Sequence, residues 1–290
     1  MKVVVIGANG YIAQNLISRL VIKHEIFSFI RKQSKGGSTE HHIFEIIDVF
    51  ELRKNILSIK PDLIINLASG YFAQHDYENI KTIIDTEVNL SVHLAEICCE
   101  LGIYMIQTKS LFQKSVKDSG INLYATAKNA RDEFMQYFSV FNKLKLINII
   151  LGDVYGINDH RNKLIPNVIA HLKSGSHTNF VLENPKRKFY PTYIDDVLTV
   201  MDKVVAKIET NEIRFGDFQC FQSNGITLKD FADQVQSMMP KNRFQFTWID
   251  SSFDFRETEL LIPRNLNCLI SEFTAFEVGF KNILKFENLQ

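Results

Sequence analysis

Tyr124 and Lys128 are the residue pair in this chain whose types and spacing best suit proton transfer. They stand four positions apart in Leu-Tyr-Ala-Thr-Ala-Lys, so a helix would place both side chains on one face. Good helix formers without Pro or Gly follow, which predicts that helix over residues 124–141. A phenol beside an ammonium group is a ready proton donor, because the positive charge favours the ionised phenol that remains. The same spacing is common on exposed helices, so a catalytic role needs further support.

A glycine-containing turn near the start of the chain gives that support. Residues 2–6 form a largely apolar, β-branched run typical of a strand buried in a parallel sheet, and a helical pattern continues to Leu20. Strand, glycine turn and helix follow in the order of a dinucleotide-binding fingerprint. Gly7 would allow the tight turn, and Gly10 would let a pyrophosphate approach the helix N-terminus. A plain strand–helix connection is the alternative, but the flanking elements favour nucleotide binding. The predicted cofactor contacts here are Gly7, Asn9, Gly10, Tyr11 and Ile12.

The first half of the chain continues as alternating strands and helices without an internal repeat. This alternation predicts an α/β fold, a doubly wound parallel sheet of the Rossmann type. Further strands are predicted at residues 25–30, 43–47, 63–67, 103–107 and 145–151, with helices at 52–59 and 80–101.

After Leu151 the pattern loosens and predicts a smaller C-terminal mixed α/β lobe. Helices are predicted at residues 164–172, 194–206 and 227–239, with a strand at 217–222. We expect a nucleotide-binding core of residues 1–152, to which 189–208 return. The substrate lobe would then comprise residues 153–188 and 209–290.

The ends of the predicted strands carry the remaining cofactor candidates, because ligands of open α/β sheets gather at the carboxyl edge. Arg31 and Lys32 follow the second strand, where two cations suit a 2′-phosphate and favour NADP(H), with NAD(H) possible. A solvated basic turn is the alternative. Thr108 follows the fifth strand. The other predicted contacts are Asp48 and Val49 at the adenine edge and Leu67, Ala68 and Ser69 in a small-residue turn.

Composition excludes several classes of function. With 33 basic and 33 acidic residues the formal net charge is zero, so no nucleic-acid partner is expected. The four cysteines and eight histidines show no metal-ligand spacing, and no metal is predicted. We expect a cytoplasmic protein, because no signal peptide precedes the first strand and no apolar run reaches membrane-spanning length.

Taken in order, the motifs resemble those of the extended short-chain dehydrogenase/reductase superfamily, in its nucleotide-sugar epimerase/dehydratase/reductase group. The resemblance covers nearly the whole chain and rests on residues 7–12, 48–49, 66–69, 124–128, 153–156 and 193–197. Three further stretches, 108–112, 162–166 and 225–231, resemble the sugar-nucleotide 4-ketoreductases, above all the CDP-abequose synthases.

The resemblance implies a reductase of the C4 ketone of a nucleotide-diphosphate 4-keto-6-deoxyhexose, in the biosynthesis of deoxysugars for O-antigen or surface polysaccharide. Tyr124 would be the general acid, Thr108 would hydrogen-bond the same oxygen, and Lys128 would also bind the nicotinamide ribose. Dehydratases of the group carry Asp-Glu after the threonine, whereas Lys109 and Ser110 stand here, so dehydration is not expected. The implied substrate contacts are Ser110, Asn162, Lys163 and Arg187. A homodimer through the helices at 80–101 and 124–141 is also implied.

Two other functions stay open. A nucleotide-sugar 4-epimerase would use the same three catalytic residues with tightly bound NAD, although Arg31 and Lys32 weigh against it. A non-catalytic NADP(H)-binding regulator is the other, and the intact catalytic set argues against that. Departures from the group's pattern include Ile150 and Ile157, and Arg187 is offset from its usual register. These departures concern the sugar nucleotide, whose identity they leave open.

Overall fold

The structure, a computed structural model, describes residues 1–31, 42–72, 74–113, 120–174, 179–213, 215–239, 245–249, 260, 262–263 and 266–289. Two compact units comprise these residues. The first contains the described parts of Met1–Ile150, Val200–Gln219 and Glu259–Leu269. The second contains those of Leu151–Thr199, Cys220–Thr258 and Ile270–Gln290.

The first unit is built on a seven-stranded sheet. Its strands are β1 (Lys2–Ile6), β2 (Glu25–Ile30), β3 (His42–Glu45), β4 (Leu63–Asn66), β5 (Tyr104–Ser110), β6 (Lys145–Leu151) and β11 (Gly216–Cys220). Their spatial order is β3-β2-β1-β4-β5-β6-β11, and the pairings among β1 to β5 are parallel. The order reverses between β1 and β4, as in a doubly wound fold, so the predicted fold class is confirmed.

Helices connect these strands and cover the sheet. They are α1 (Tyr11–Leu20), α2 (Val49–Ile59), α3 (Tyr77–Ile84), α4 (Leu90–Leu101) and α5 (Leu123–Phe141), and a π-helical turn, Asp85–Asn89, joins α3 to α4. Apolar residues of α2, α4 and α5 pack on β1, β2 and β4 in one buried cluster. Helix α7 (Ile194–Glu209) continues into this unit from the second.

The second unit has its own aromatic core and only short strands. These are β7 (Asp153–Tyr155), β8 (Phe180–Glu183), β9 (Lys188–Phe189), β10 (Pro191–Tyr193), β12 (Ile226–Thr227) and β13 (Phe246–Ile249). They form two-stranded pairs, β7 with β10, β8 with β13 and β9 with β12. The helices are α6 (Leu164–Lys173), α8 (Leu228–Ser237) and α9 (Phe276–Phe286). Thr227 caps α8 in a reciprocal capping box with Asp230, as the predicted threonine start requires.

Most predicted elements are confirmed, and the differences have physical reasons. The strand predicted at 103–107 extends to Ser110, because Gln107 is buried and its amide donates to Asn148 on β6 at 2.8 Å, which satisfies a polar residue inside the sheet. The third strand is shorter than predicted and ends at Glu45. Helix α9 was not predicted; its Gly279 packs where a Cβ would lie 2.3 Å from Tyr155 Oη. No helix in the described ranges is long and apolar enough to cross a membrane.

Candidate active site

The turn after β1 is shaped for close approach of another chain segment. Gly7 has φ of +77°, and a Cβ on it would lie 2.6 Å from the backbone nitrogen of Ala68, in the loop after β4. Only glycine fits there without strain. Gly10 is the N-cap of α1, contributes no side-chain cap, and the first helical turn carries no acidic residue. The positive end of the helix dipole is therefore unopposed by side-chain charge, which fits the pyrophosphate of a dinucleotide.

The other predicted cofactor contacts lie around this turn or beside it. The Leu67 N–H donates to Ile6 O at 3.0 Å, which fixes the loop after β4 against the end of β1. Arg31 is exposed directly after β2, whereas Lys32 lies outside the described residues. Asp48 is the N-cap of α2, and its Oδ1 accepts from Phe50 N and Glu51 N, so this oxygen is engaged in capping. Asn9 is exposed, and the N–H of Ala68 donates to the side chain of Asn66. The remaining candidates lie in the first turns of helices and are half-buried, and they are Tyr11, Ile12 and Val49.

Helix α5 brings Tyr124 and Lys128 together. Asn122 caps it by accepting from Ala125 N at 2.8 Å, so Tyr124 lies in the first turn and Lys128 one turn further. The Lys128 ammonium lies 5.2 Å from the centroid of the Tyr124 ring and is 2% exposed, whereas Tyr124 is half-buried. An accessible phenol above a buried ammonium is the arrangement that proton donation requires.

Thr108 lies inside β5, not beyond its end as predicted. Its carbonyl oxygen accepts from Arg131 Nη2 at 3.0 Å, and Arg131 is one turn beyond Lys128 on α5. The threonine backbone is thus tied to the helix that carries the other two candidates. Its side chain is half-buried.

Glu87, in the π-helical turn, lies at the centre of this region, and the sequence did not point to it. It is fully buried, and its Oε2 lies 3.0 Å from Lys128 Nζ and 3.5 Å from Arg131 Nη1. Its Oε1 accepts from Ser69 Oγ at 3.0 Å and from Gly70 N at 3.1 Å. Ser69 in turn lies 3.0 Å from Tyr124 Oη. One carboxylate therefore connects the loop after β4, the lysine and, through Ser69, the phenol.

The two residues that replace the Asp-Glu pair of dehydratases are both engaged in structure. Lys109 Nζ lies 3.2 Å from Asp217 and 3.4 Å from Asp132. The Ser110 hydroxyl accepts from Phe112 N at 3.2 Å and so starts a short 3₁₀ turn. Neither side chain is a carboxylate, so no acid–base pair for the removal of water is present at these positions.

The predicted substrate contacts Asn162, Lys163 and Arg187 belong to the second unit. Lys163 is the N-cap of α6, Asn162 accepts from Asn167 at 2.9 Å, and Arg187 is exposed. The charges of Lys163 and Arg187 both act on Asp153, whose carboxyl accepts from Tyr190 N at 3.0 Å. Removal from water nevertheless raises the pKa of Asp153 to about 6.

Glu87 and Arg131 could have been found by one signal. Glu87 follows the buried Ile83 by four positions and precedes the buried Leu94 by seven, so a carboxylate stands on an apolar helix face. Arg131 follows Lys128 by three positions on the buried side of α5. A charged residue on a buried face requires a partner of opposite charge, and Glu87 and Arg131 are such partners. Within the described residues, no group of three or more His, Cys, Asp or Glu could hold a metal ion.

Comparison with known proteins identifies the family of the chain. A family model described as the NAD dependent epimerase/dehydratase family matches residues 3–215. The chain is 27% identical over 216 residues to a CDP-abequose synthase of Yersinia pseudotuberculosis, with 71% of this chain and 74% of the relative covered. It is 23% identical over 241 residues to a GDP-6-deoxy-D-talose 4-dehydrogenase of Aggregatibacter actinomycetemcomitans, with 77% and 78% covered.

Solved structures show the same fold at lower identity. The Bordetella bronchiseptica enzyme WbmG, in complex with NAD and UDP, superposes with a TM-score of 0.75 at 15% identity. The match covers 99% of this chain and 94% of WbmG.

Proposed function

Since the chain belongs to the NAD dependent epimerase/dehydratase family, we propose that it reduces the C4 ketone of a nucleotide-diphosphate 4-keto-6-deoxyhexose, in deoxysugar biosynthesis. The carrying observation is Tyr124 above the buried Lys128 on α5, with Lys109 and Ser110 in place of a carboxylate pair. The set is suited to proton donation but not to dehydration. The names of the two relatives support the substrate class, because both refer to nucleotide-linked sugars and one of them to a 6-deoxy sugar.

In the proposed reaction, the bound dinucleotide supplies the hydride, and the chain manages the charge that develops on the ketone oxygen. Tyr124 donates its proton to that oxygen as general acid. The Thr108 hydroxyl donates a hydrogen bond to the same oxygen and holds it within reach. Lys128, whose Nζ lies 5.2 Å from the Tyr124 ring centroid, stabilises the phenolate that is left. The nicotinamide ribose is its second proposed partner.

We assign substrate binding to residues 153–188 and 209–290 and cofactor binding to residues 1–152 with 189–208. Lys163 and Arg187 would bind the diphosphate, because both are cations that act on the same carboxyl of Asp153. Ser110 and Asn162 are the proposed polar contacts of the sugar nucleotide.

NADPH is the proposed preferred cofactor, because Arg31 stands at the end of β2, where the adenosine ribose lies in Rossmann folds. The substitution Arg31→Asp should raise the KM for NADPH and lower that for NADH. Equal use of both cofactors by wild type and variant would contradict this preference.

The glycine turn offers a direct test of cofactor binding, because the chain contains a matched control. Gly7→Ala introduces a Cβ 2.6 Å from Ala68 N at a φ of +77°, whereas Gly102→Ala meets nothing within 4 Å at a φ of +67°. Both substitutions carry backbone strain of about 1–2 kcal/mol, but only Gly7→Ala distorts the turn. We expect loss of NADPH binding in Gly7→Ala alone, measured by fluorescence titration.

A homodimer is proposed through the helices at residues 80–101 and 124–141. Phe134, Tyr137, Val140 and Phe141 form an exposed apolar stripe on α5, which a second copy of the chain would cover. Tyr137→Glu should produce a monomer in analytical ultracentrifugation. Phe50→Glu, which changes an exposed aromatic on α2, should leave the oligomeric state unchanged.

The decisive experiment measures oxidation of NADPH and of NADH against CDP-, dTDP- and GDP-linked 4-keto-6-deoxyhexoses. Wild type should oxidise the cofactor with one nucleotide class, and Tyr124→Phe should be slower by about 10²–10⁴-fold, the usual contribution of a general acid. Interconversion of C4-hydroxyl sugars with endogenous NAD, without net oxidation, would replace the reductase by a 4-epimerase. Binding of NADPH without either activity would indicate a regulator.

A further inference from the structure

Glu87 is the buried group of the site that the proposed reaction does not use. It is 0% exposed, in a π-helical turn that packs against α3, α4 and α5. A carboxylate without solvent is costly unless charges or donors meet it. Four groups do so here, and they are Lys128, Arg131, the Ser69 hydroxyl and the Gly70 amide.

The hydrogen bonds around Ser69 fix the role of the Tyr124 hydroxyl. A carboxylate paired with an ammonium and a guanidinium is an acceptor only, so Ser69 donates its single hydrogen to Glu87 Oε1 over 3.0 Å. The Ser69 oxygen has no second hydrogen to give. At 3.0 Å from Tyr124 Oη, it can therefore only accept, and Tyr124 must donate. The chain of donors runs from Tyr124 to Ser69 to Glu87.

The negative charge of Glu87 also favours the protonated form of Tyr124, because it offsets the positive charge of Lys128. Lys128 places a positive charge 5.2 Å from the centroid of the Tyr124 ring, which favours the ionised phenol. Arg131 adds a second positive charge to the same buried group through Glu87, 3.5 Å away. Glu87 offsets one of them, since its Oε2 lies 3.0 Å from Lys128 Nζ. Arg131 is further balanced by Asp132, whose Oδ1 lies 3.2 Å from Arg131 Nη2. Without Glu87 the positive charges beside the phenol would be in excess.

We propose that Glu87 is a positioning residue that holds the Tyr124 hydroxyl in place through Ser69 and keeps it protonated by balancing the charge of Lys128. This inference rests on the proposed role of Tyr124 as general acid. It adds that the acid is held in its donor form by a buried carboxylate two hydrogen bonds away, so that the proton is present when the ketone arrives.

The groups around Tyr124 and Glu87 come from five elements. The loop after β4 contributes Ser69 and Tyr71, whose ring packs edge-on against Tyr124 at 5.2 Å. Helix α5 contributes Lys128, Arg131 and Asp132. Asp132 is in turn 3.4 Å from Lys109 of β5. The π-helical turn also carries Asp85, which pairs with the exposed Lys81 of α3.

Glu87→Gln with Asp85→Asn as its matched control tests the proposal. Both substitutions remove one carboxylate charge from the same π-helical turn, but Asp85 is paired with the exposed Lys81, whereas Glu87 is paired with Lys128. The measurement is ¹³C NMR of protein labelled at tyrosine Cζ, over a range of pH and without substrate. Tyr124→Phe identifies the Tyr124 signal among the nine tyrosines.

We expect Tyr124 in Glu87→Gln to ionise about one pH unit lower than in wild type, because a nearby negative charge has been removed. Asp85→Asn should leave the midpoint unchanged. If both variants shift equally, or neither shifts, the proposal is overturned. The spectrum needs no turnover, so it stands or fails separately from the keto-sugar assay. Where that assay works, the alkaline limb of its pH profile should move by the same amount.

Glu87→Gln removes the carboxylate charge that lies 3.0 Å from Lys128 and could prevent folding, so Arg131→Gln is the second variant. It removes a positive charge from the same group and leaves the Glu87–Lys128 pair at 3.0 Å intact. Tyr124 should then ionise at higher pH than in wild type. An unchanged or lower midpoint in this variant overturns the proposal on its own.

Discussion

Each of the two units contains a carboxylate that interacts with one lysine and one arginine. The surroundings of the two carboxylates, Glu87 and Asp153, differ. In the first unit, Lys128 and Arg131 lie against Glu87 at 3.0 and 3.5 Å, and all three side chains are at most 2% exposed. Direct contact replaces the water that each of these charges has lost. Such a group fixes the positions of its members.

In the second unit the cations act on the carboxylate without outweighing its burial. Lys163 and Arg187 lower the pKa of Asp153, as does the N–H of Tyr190, yet removal from water raises it to about 6. Arg187 is exposed, whereas Arg131 is not. The comparison teaches that a carboxylate, a lysine and an arginine can build either a rigid support or a group whose charge depends on pH. The arginine of the first group is buried, whereas that of the second is exposed.

Removal of the lysine from the first group should have the largest effect. Lys128→Met removes the cation nearer to Glu87 and leaves Arg131 at 3.5 Å, and breaking a buried ion pair lowers the free energy of unfolding by about 3 kcal/mol. Urea denaturation measures this loss, and turnover should disappear with it.

The control for this prediction is Lys81, a second lysine that pairs with a carboxylate of the same π-helical turn. Lys81 contacts Asp85 with its side chain 84% exposed, so Lys81→Met should change the free energy of unfolding by less than about 0.5 kcal/mol. Equal effects of the two substitutions would show that burial does not distinguish the two pairs, and the comparison would break.

In the second group, removal of the carboxylate charge of Asp153 should raise the free energy of unfolding instead of lowering it. The folded-state pKa of Asp153, about 6, lies above the ordinary 3.8, so the folded protein binds more protons between these values. Stability from this group is therefore present at low pH and is lost as pH rises through about 6. Asp153→Asn should be more stable than wild type by about 2 kcal/mol at pH 7, with the difference vanishing near pH 4.

Thermal or urea unfolding from pH 4 to 7 measures this difference. Asp233→Asn removes a carboxylate that is 56% exposed and should show no such gain. Parallel stability curves for wild type and Asp153→Asn would mean that the carboxyl is adequately solvated or paired, and that the two groups do not differ.

The sequence predicted the sheet well because local pattern decides it. Strand β1 and strand β2 have the predicted bounds, since each is a short, mostly apolar run. The second unit was harder to predict. Its strands β9 and β12 have two residues each, and its core depends on packing between distant aromatic residues such as Phe231 and Phe276. Contacts of that kind leave no periodic signal.

The residues of the site also differ in whether local sequence could predict them. Tyr124 and Lys128 were predicted because their spacing on one helix is local information. Glu87 was not predicted, because its role depends on Ser69, 18 positions earlier, and on Lys128 in another helix. Asp48 was predicted to meet the adenine edge, and the structure shows an additional local role as the cap of α2. The cofactor and substrate roles of the candidates stay predictions.

The smallest expected change in stability, and the sharpest functional contrast, comes from Arg187. Arg187→Met should alter the free energy of unfolding by less than about 0.5 kcal/mol, since the side chain is exposed. If it binds the substrate diphosphate, KM should rise about tenfold with kcat nearly constant, because the contact is made in ground and transition states alike. Lys186→Met, an exposed neighbour that does not act on Asp153, is the control. A fall in kcat with unchanged KM would instead indicate that Arg187 acts on the reacting atoms, as proposed for Lys128. The proposed difference between the Glu87 group as a rigid support and the Asp153 group as a binding group would then be lost.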